Sequence, residues 1–223
     1  MRAAVFDFDG VIANSEPLHF AALRKALREN EVEISEEEYY HRYLAYDDRG
    51  AIRLALEHHG VAYDLDRLDV VAVRKAEIFE ELLPTIPFFP GAAELIRDLA
   101  REFPLAIASG ARREEIEAIL EAGGLRDNFR AIVGADDVSR GKPDPEPYLR
   151  AAARLLPHAP DLKPEECVAF EDSIPGIAAA RTAGMKVVAV ANSYPAEKLT
   201  AAHRVIASLE GLDSAGLRAL FAA

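Results

Sequence analysis

A single cysteine, Cys167, is all the thiol that this 223-residue chain carries. One thiol excludes an intrachain disulfide and a thiolate zinc site. Its place in an apolar run assigns it to the core as a small buried side chain. Basic residues are scarce as well: 26 Lys and Arg stand against 38 Asp and Glu, a formal charge of −12. Nucleic acid and anionic membranes repel such a chain. No apolar run approaches the roughly 20 residues of a membrane-spanning helix. Met1-Arg2 leads straight into a short apolar stretch with turn residues behind it, which is not a secretory leader. There is no internal repeat, and no low-complexity tract beyond alanine-rich helices. The expectation is a cytoplasmic protein in a reducing setting, with neither nucleic acid nor membrane as partner.

What is present suffices for a core. Half of the residues are hydrophobic and 29% are charged, a globular composition that excludes wholesale disorder. The length is generous for a minimal domain and short for two full ones, which points to one domain with a sizeable insertion or to two small ones.

Short apolar runs read as buried strands: Ala3–Phe8, Leu105–Ser109, Ala131–Gly134, Cys167–Phe170, Lys186–Ala191 and Arg204–Ala207. They do not alternate polar with apolar, as expected of strands covered on both faces. From residue 91 onward, helical stretches separate them: Gly91–Glu102, Arg112–Ala122, Pro145–Leu155 and Pro175–Ala183. The alternation predicts an α/β fold, a parallel sheet with helices on both faces. Sheets of this kind place ligands at the carboxyl ends of their strands, so the residues just after each run carry the interest.

Residues 15–85 break the pattern with helical periodicity and no strand. Ser15 is positioned to cap a first helix, with Pro17 in its first turn and Phe20, Leu23 and Leu27 on one face. Ser35 and Glu38 have capping-box spacing. Asp47 or Asp48 caps a third helix that Gly60 ends. A fourth runs from about Leu65 to Leu83, and Pro84 and Pro87–Gly91 form a return hinge. This block holds 16 acidic and 9 basic residues, and so −7 of the −12. It reads as a helical lid (cap) inserted after the first strand, dividing the chain into a core of 1–14 and 86–223 and a cap of 15–85.

The strand ends carry the chemistry. The first gives Asp7-Phe8-Asp9-Gly10-Val11, the second Ser109-Gly110. Gly141-Lys142-Pro143-Asp144-Pro145 follows the third, and the fourth gives Glu171-Asp172-Ser173. Each alone has an ordinary explanation: a turn, a loop with a solvated lysine, or a cap from Asp172 or Ser173 for the next helix. Together and in order, they are far more specific. Four carboxylates converging in a low dielectric repel one another, and Lys142 alone cannot offset them. An oxygen-liking divalent cation, Mg²⁺, can. A carboxylate-held metal beside a lysine and a hydroxyl suits a phosphoryl group. If Asp7-x-Asp9 lies within a strand, both side chains share a face, so that one can attack phosphorus while the other handles a proton.

On these residues the chain resembles the haloacid dehalogenase superfamily of aspartate-nucleophile phosphatases, in the branch of phosphoglycolate phosphatase and β-phosphoglucomutase. The stretch from Asp7 to His19 matches the family's opening signature, with Asn14 where an aspartate is usual. The resemblance implies a Rossmann-like core with an inserted helical cap. It also implies Asp7 as the nucleophile that forms an aspartyl-phosphate. Asp9 would be the acid/base and would give its backbone carbonyl to the metal. Ser109 and the Gly110 amide would donate to phosphoryl oxygens, and Lys142 would offset charge. Asp172 would be a direct Mg²⁺ ligand, and Glu171 a ligand or the partner of a bound water. Dehalogenases of the superfamily lack the second aspartate, so Asp9 favours phosphorus chemistry.

Cap residues choose the substrate in this family, and here Glu16, His19, Arg49 and Lys75 are the candidates. Lys75 falls on the apolar stripe of the fourth cap helix, between Val71 and Phe79. There it either snorkels to solvent or points a cation into the site. His58-His59 reads as a surface helix end, since adjacent helical residues do not share a face. The implied activity is a Mg²⁺-dependent phosphatase acting on a small phosphorylated metabolite such as a sugar phosphate or phosphoglycolate. The partner is that metabolite; a monomer is expected, with a dimer as the alternative. A β-phosphoglucomutase-type mutase is the alternative activity. It is disfavoured because Ala111-Arg112-Arg113 replaces the polar residues that follow the mutase's serine, although Arg113 can still bind an anion. A non-catalytic phosphate sensor is the alternative of a different class, and the intact set of Asp7, Asp9, Lys142 and Asp172 opposes it.

Overall fold

The computed structural model describes residues 1–44 and 46–221. Contacts divide the chain into two compact units, Met1–Asn14 with Pro87–Ala223, and Ser15–Ile86. Among the described residues, no helix is long and apolar enough to cross a membrane.

The first unit is built on a parallel sheet of β1 (Ala3–Phe6), β2 (Leu105–Ala108), β3 (Phe129–Val133), β4 (Cys167–Glu171), β5 (Lys186–Val190) and β6 (Arg204–Ile206), in the spatial order β3-β2-β1-β4-β5-β6. The residues of β1, β2 and β4 are all buried, which is why these segments read as unbroken apolar runs. Phe6 stacks on Phe170 at 4.5 Å between ring centroids and meets Phe129 edge-on at 6.0 Å. The chain winds outward from β1 through β2 to β3, then crosses back to β4 on the other side of β1. The switch point of this Rossmann-like sheet therefore lies between β1 and β4, where such folds bind ligands.

β1 is shorter than its apolar run. It ends at Phe6, and Asp7, Phe8 and Asp9 lie in the turn beyond it. Gly10, at φ +78°, and the amides of Ile12 and Ala13 on the Phe8 carbonyl fold this turn back. Asp7 and Asp9 therefore do not share a strand face. Asp7 is buried and Asp9 is exposed.

The second unit begins with α1 (Glu16–Arg28), continues through a helical turn α2 (Glu36–Glu38) into a π-helical turn at Tyr39–Tyr43, and ends with α3 (Asp48–His58) and α4 (Leu65–Leu82). Its core gathers Leu23, Leu27, Ile52, Leu56, Leu68 and Val71. Ser15 precedes α1 without a side-chain capping bond, because its own backbone is already helical. Ser35 accepts from the Glu38 amide at 3.1 Å. Glu38 does not complete the box; its carboxylate goes to Tyr43 and His59 instead. Asp47, rather than Asp48, caps α3 at 2.8 Å, and Asp64 caps α4 at 2.8 Å.

Back in the first unit, α5 (Ala92–Leu99), α6 (Arg113–Ala122), α7 (Glu146–Arg154) and α8 (Ile174–Thr182) are the crossover helices, and α9 (Ser214–Leu220) follows the last strand. Tyr148, Ala151 and Ala152 of α7 join Ile177, Ala179 and Ala180 of α8 over the small side chains of β1, β2, β4 and β5. Alanine on both sides lets helix and sheet approach closely, and interiors reward that density.

Candidate active site

Strand register brings the first pieces together. Phe6 pairs with Phe170, and the Asp7 amide donates to the Phe170 carbonyl at 2.9 Å. Asp7 and Glu171 are thus neighbours at the ends of two central strands. Lys142 arrives from the loop before α7. That loop is held by the Glu146 carboxylate, which accepts from the Ser139 and Arg140 amides at 3.0 Å each. The Lys142 ammonium lies 2.7 Å from Asp7 Oδ1 and 2.6 Å from Glu171 Oε1.

Glu171 is wholly buried, and both of its oxygens are engaged. Oε1 accepts from Lys142 and from the Tyr148 hydroxyl at 2.7 Å. Oε2 accepts from the Asp172 and Ser173 amides at 3.1 Å each and from the Ser173 hydroxyl at 2.9 Å. A Cβ on Gly176 would collide with this carboxylate, so glycine makes room for it. Ser173 also caps α8, accepting from the Gly176 amide at 3.2 Å. The motif Glu171-Asp172-Ser173 is therefore a helix cap and part of an anionic cluster at once.

Carboxylate oxygens of Asp7, Glu171 and Asp172 lie within 4.8 Å of one another. Burial raises the Asp7 carboxyl well above its usual range, and Glu171 and Asp172 add to the shift while Lys142 opposes it. Asp172 is pushed up to about 6, first by burial and then by Glu171. Burial would also raise Glu171, but Lys142 and its other hydrogen-bond donors hold it below the usual carboxylate range. Burial disfavours the Lys142 ammonium, yet Asp7 and Glu171 keep its pKa raised. One ammonium thus serves three carboxylates, and two of the three pay for their burial with raised pKa values. A divalent cation with oxygen ligands matches that deficit. Asp7, Glu171 and Asp172 are the residues that could hold it.

The remaining core candidates sit nearby in the fold. Ser109, buried at the end of β2, accepts from the Ala111 amide at 3.1 Å. Gly110 is exposed, with open space where a Cβ would be. Asp9 lies outside the three-carboxylate cluster, on the exposed turn. The Arg113 guanidinium is 2.6 Å from Asp137, which also takes Arg154 at 2.5 Å.

In the Ser15–Ile86 unit, Lys75 does not snorkel. It is 3% exposed, 2.8 Å from Asp48 and 2.9 Å from His19 Nδ1. His19 stacks on Phe79 at 4.1 Å. Its pKa falls to about 4, chiefly through burial and then through the Lys75 ammonium. Lys75 therefore donates to a neutral imidazole. The Glu16 carboxylate takes the Tyr39 hydroxyl, and Arg49 pairs with Asp69 on the surface. His58 and His59 both reach Glu38, at 3.6 and 3.1 Å; flexible ring torsions bring adjacent residues to one oxygen although their Cβ atoms diverge.

Three contributors to the core site carried no motif. Tyr148 holds Glu171 from α7. Ser193 hydrogen-bonds Asp172, and Asn192 donates to the Gly10 carbonyl at 2.7 Å. Asn192 and Ser193 follow the fifth apolar run, so the strand-end rule points to them. Nothing in the sequence marks Tyr148.

A family model of haloacid dehalogenase-like hydrolases matches residues 1–184. The chain belongs to that family. It is 32% identical to a phosphorylated carbohydrates phosphatase of Thermotoga maritima over 83% of each chain. It is 29% identical to β-phosphoglucomutase of Bacillus subtilis over 87% of this chain and 85% of the other. The crystal structure of CbbY from Rhodobacter sphaeroides in complex with phosphate superposes with a TM-score of 0.72 at 30% identity, covering 98% of this chain and 99% of that one.

Proposed function

We propose that this phosphoric monoester hydrolase cleaves phosphate from small phosphorylated metabolites, sugar phosphates or phosphoglycolate, with Mg²⁺ as cofactor and Asp7 as nucleophile. One observation carries the reading: Asp7, Lys142, Glu171 and Asp172 meet at the switch point of the sheet. The Asp7 carboxylate attacks phosphorus and forms an acyl-phosphate. Lys142 stabilises the nucleophile and the charge spread over the phosphoryl oxygens. Asp9, exposed on the same turn, gives a proton to the leaving oxygen and then takes one from the attacking water. Asp7, the Asp9 carbonyl and Asp172 would hold Mg²⁺, which would supply neutralisation of the phosphoryl group's negative charge. Ser109 and the Gly110 amide serve as further phosphoryl-oxygen donors.

The same proposal gives Glu16, His19, Arg49 and Lys75 the choice of substrate. Its support is that α1, α3 and α4, which carry them, pack on one another and join His19, Lys75 and Asp48 in one polar group. The pairing of Arg113 with Asp137 favours hydrolysis over the mutase activity, because that guanidinium is not held for a second phosphate. A panel of phosphate esters with free-phosphate readout tests the reading. Release of phosphate by the wild type and none by Asp7→Asn is the expected result. Retained turnover in Asp7→Asn overturns the covalent route. Formation of glucose 6-phosphate from β-glucose 1-phosphate without net phosphate release establishes the mutase instead.

A further inference from the structure

Three chain segments close on one another beside Asp172. The turn after β1 brings Gly10, where an added Cβ would strike the Asp172 carboxylate and lie 3.0 Å from Ser193 Oγ. The end of β4 brings Asp172 itself, 4% exposed. The turn after β5 brings Asn192 and Ser193, both exposed. Ser193 donates its hydroxyl to Asp172 Oδ2, and the Asn192 amide donates to the Gly10 carbonyl at 2.7 Å. The turn is itself anchored: the Ala191 amide donates to the Ile206 carbonyl and the Asn192 amide nitrogen to the Val190 carbonyl, each at 2.9 Å. A donor mounted on such a turn fixes one rotamer of the carboxylate it holds, and outer hydrogen bonds of this kind orient metal ligands.

We propose that Asn192 and Ser193 are positioning residues of the cation site, Ser193 by setting the Asp172 carboxylate and Asn192 by tying down the Asp9–Gly10 turn. The inference rests on the proposed cation reading and adds to it a fifth strand end that no motif covers. Ser193 acts through Asp172, whose carboxylate takes its hydroxyl.

The test is calorimetric titration of Mg²⁺ into the full chain stripped with EDTA, with no substrate present. Wild type is expected to bind, and Asp172→Asn to lose binding. Ser193→Ala is expected to bind about tenfold more weakly, and Ser193→Thr, which keeps the hydroxyl, to bind as the wild type does. Asn192→Ala is expected to weaken binding by a smaller factor. Thermal melting in EDTA checks the fold of each variant; should Ser193→Ala unfold, Ser193→Cys, of similar size and a poor donor, carries the same expectation. Wild-type affinity in a folded Ser193→Ala or Ser193→Cys overturns the role of Ser193 and leaves the cation reading standing. A wild type that takes up no Mg²⁺ overturns the cation reading itself.

Discussion

The Lys142 ammonium lies 2.7 Å from Asp7 Oδ1, and the same nitrogen is 2.6 Å from Glu171. One buried cation thus ties the ends of the two central strands together. Lys142→Met removes that tie and leaves two carboxylates buried without their partner. The expected loss of stability is about 3 kcal/mol or more, with loss of turnover beside it. Urea unfolding of the metal-free protein measures the first and phosphate release the second. A stable, inactive variant would make the lysine catalytic without being structural.

Asp7→Asn is expected to behave oppositely in stability. The Asp7 carboxyl is raised by burial first, then by Glu171 and Asp172. The folded state therefore holds its proton to higher pH than the unfolded chain, whose carboxyl titrates near 3.8. Above that value this group destabilises the metal-free fold progressively as pH rises, up to its folded pKa. Asparagine cannot ionise, so the variant should lose part of this slope while losing turnover. Melting curves in EDTA between pH 4 and pH 8 measure it; parallel curves for the two proteins would count against the assignment.

Mg²⁺ should raise the melting temperature. A ligand that binds only the folded state at a hundred times its Kd adds about 2.7 kcal/mol. The shift should vanish in Asp172→Asn and on adding EDTA. A melting temperature indifferent to Mg²⁺ would remove the cation from the site.

His19 predicts an acid limb in stability. Its folded pKa is about 4 against 6.5 for the free side chain, so between these values the unfolded chain binds more protons. Stability contributed by neutral His19 is present above pH 6.5 and falls as the pH drops toward 4. With partial exposure discounted, the expected loss is on the order of 1–2 kcal/mol. His19→Gln should show less loss than the wild type between pH 7 and pH 4.5 in urea unfolding. An equal loss in both proteins would place the acid sensitivity elsewhere.

Much of this molecule is legible in its order of residues. The apolar runs mark the strands because burial on both faces forces unbroken hydrophobicity, and carboxylates after those runs mark the binding edge. The limits show at particular residues. The run through Phe8 overstates β1 because the turn that leads to Gly10 begins at Asp7, before the apolar run ends. In sequence Lys75 reads as a cation that either snorkels to solvent or points into the site, because its partner Asp48 lies 27 residues away. Arg113, read in sequence as able to bind an anion, pairs with Asp137, 24 residues further on.

The sequence by itself determined the class of sheet, the family and the identity of the carboxylates and lysine, since these rest on local periodicity and on side-chain chemistry. The tertiary structure alone decided how those groups divide the work. It committed both oxygens of Glu171 to donors, buried Asp7 and Asp172 so that their pKa values rise, and brought in Tyr148, Asn192 and Ser193. The physical reason is that a buried carboxylate must find its donors in space. The chain supplies them from segments far apart in sequence, as with Tyr148 at 23 residues from Glu171 and Asn192 at 182 from Gly10.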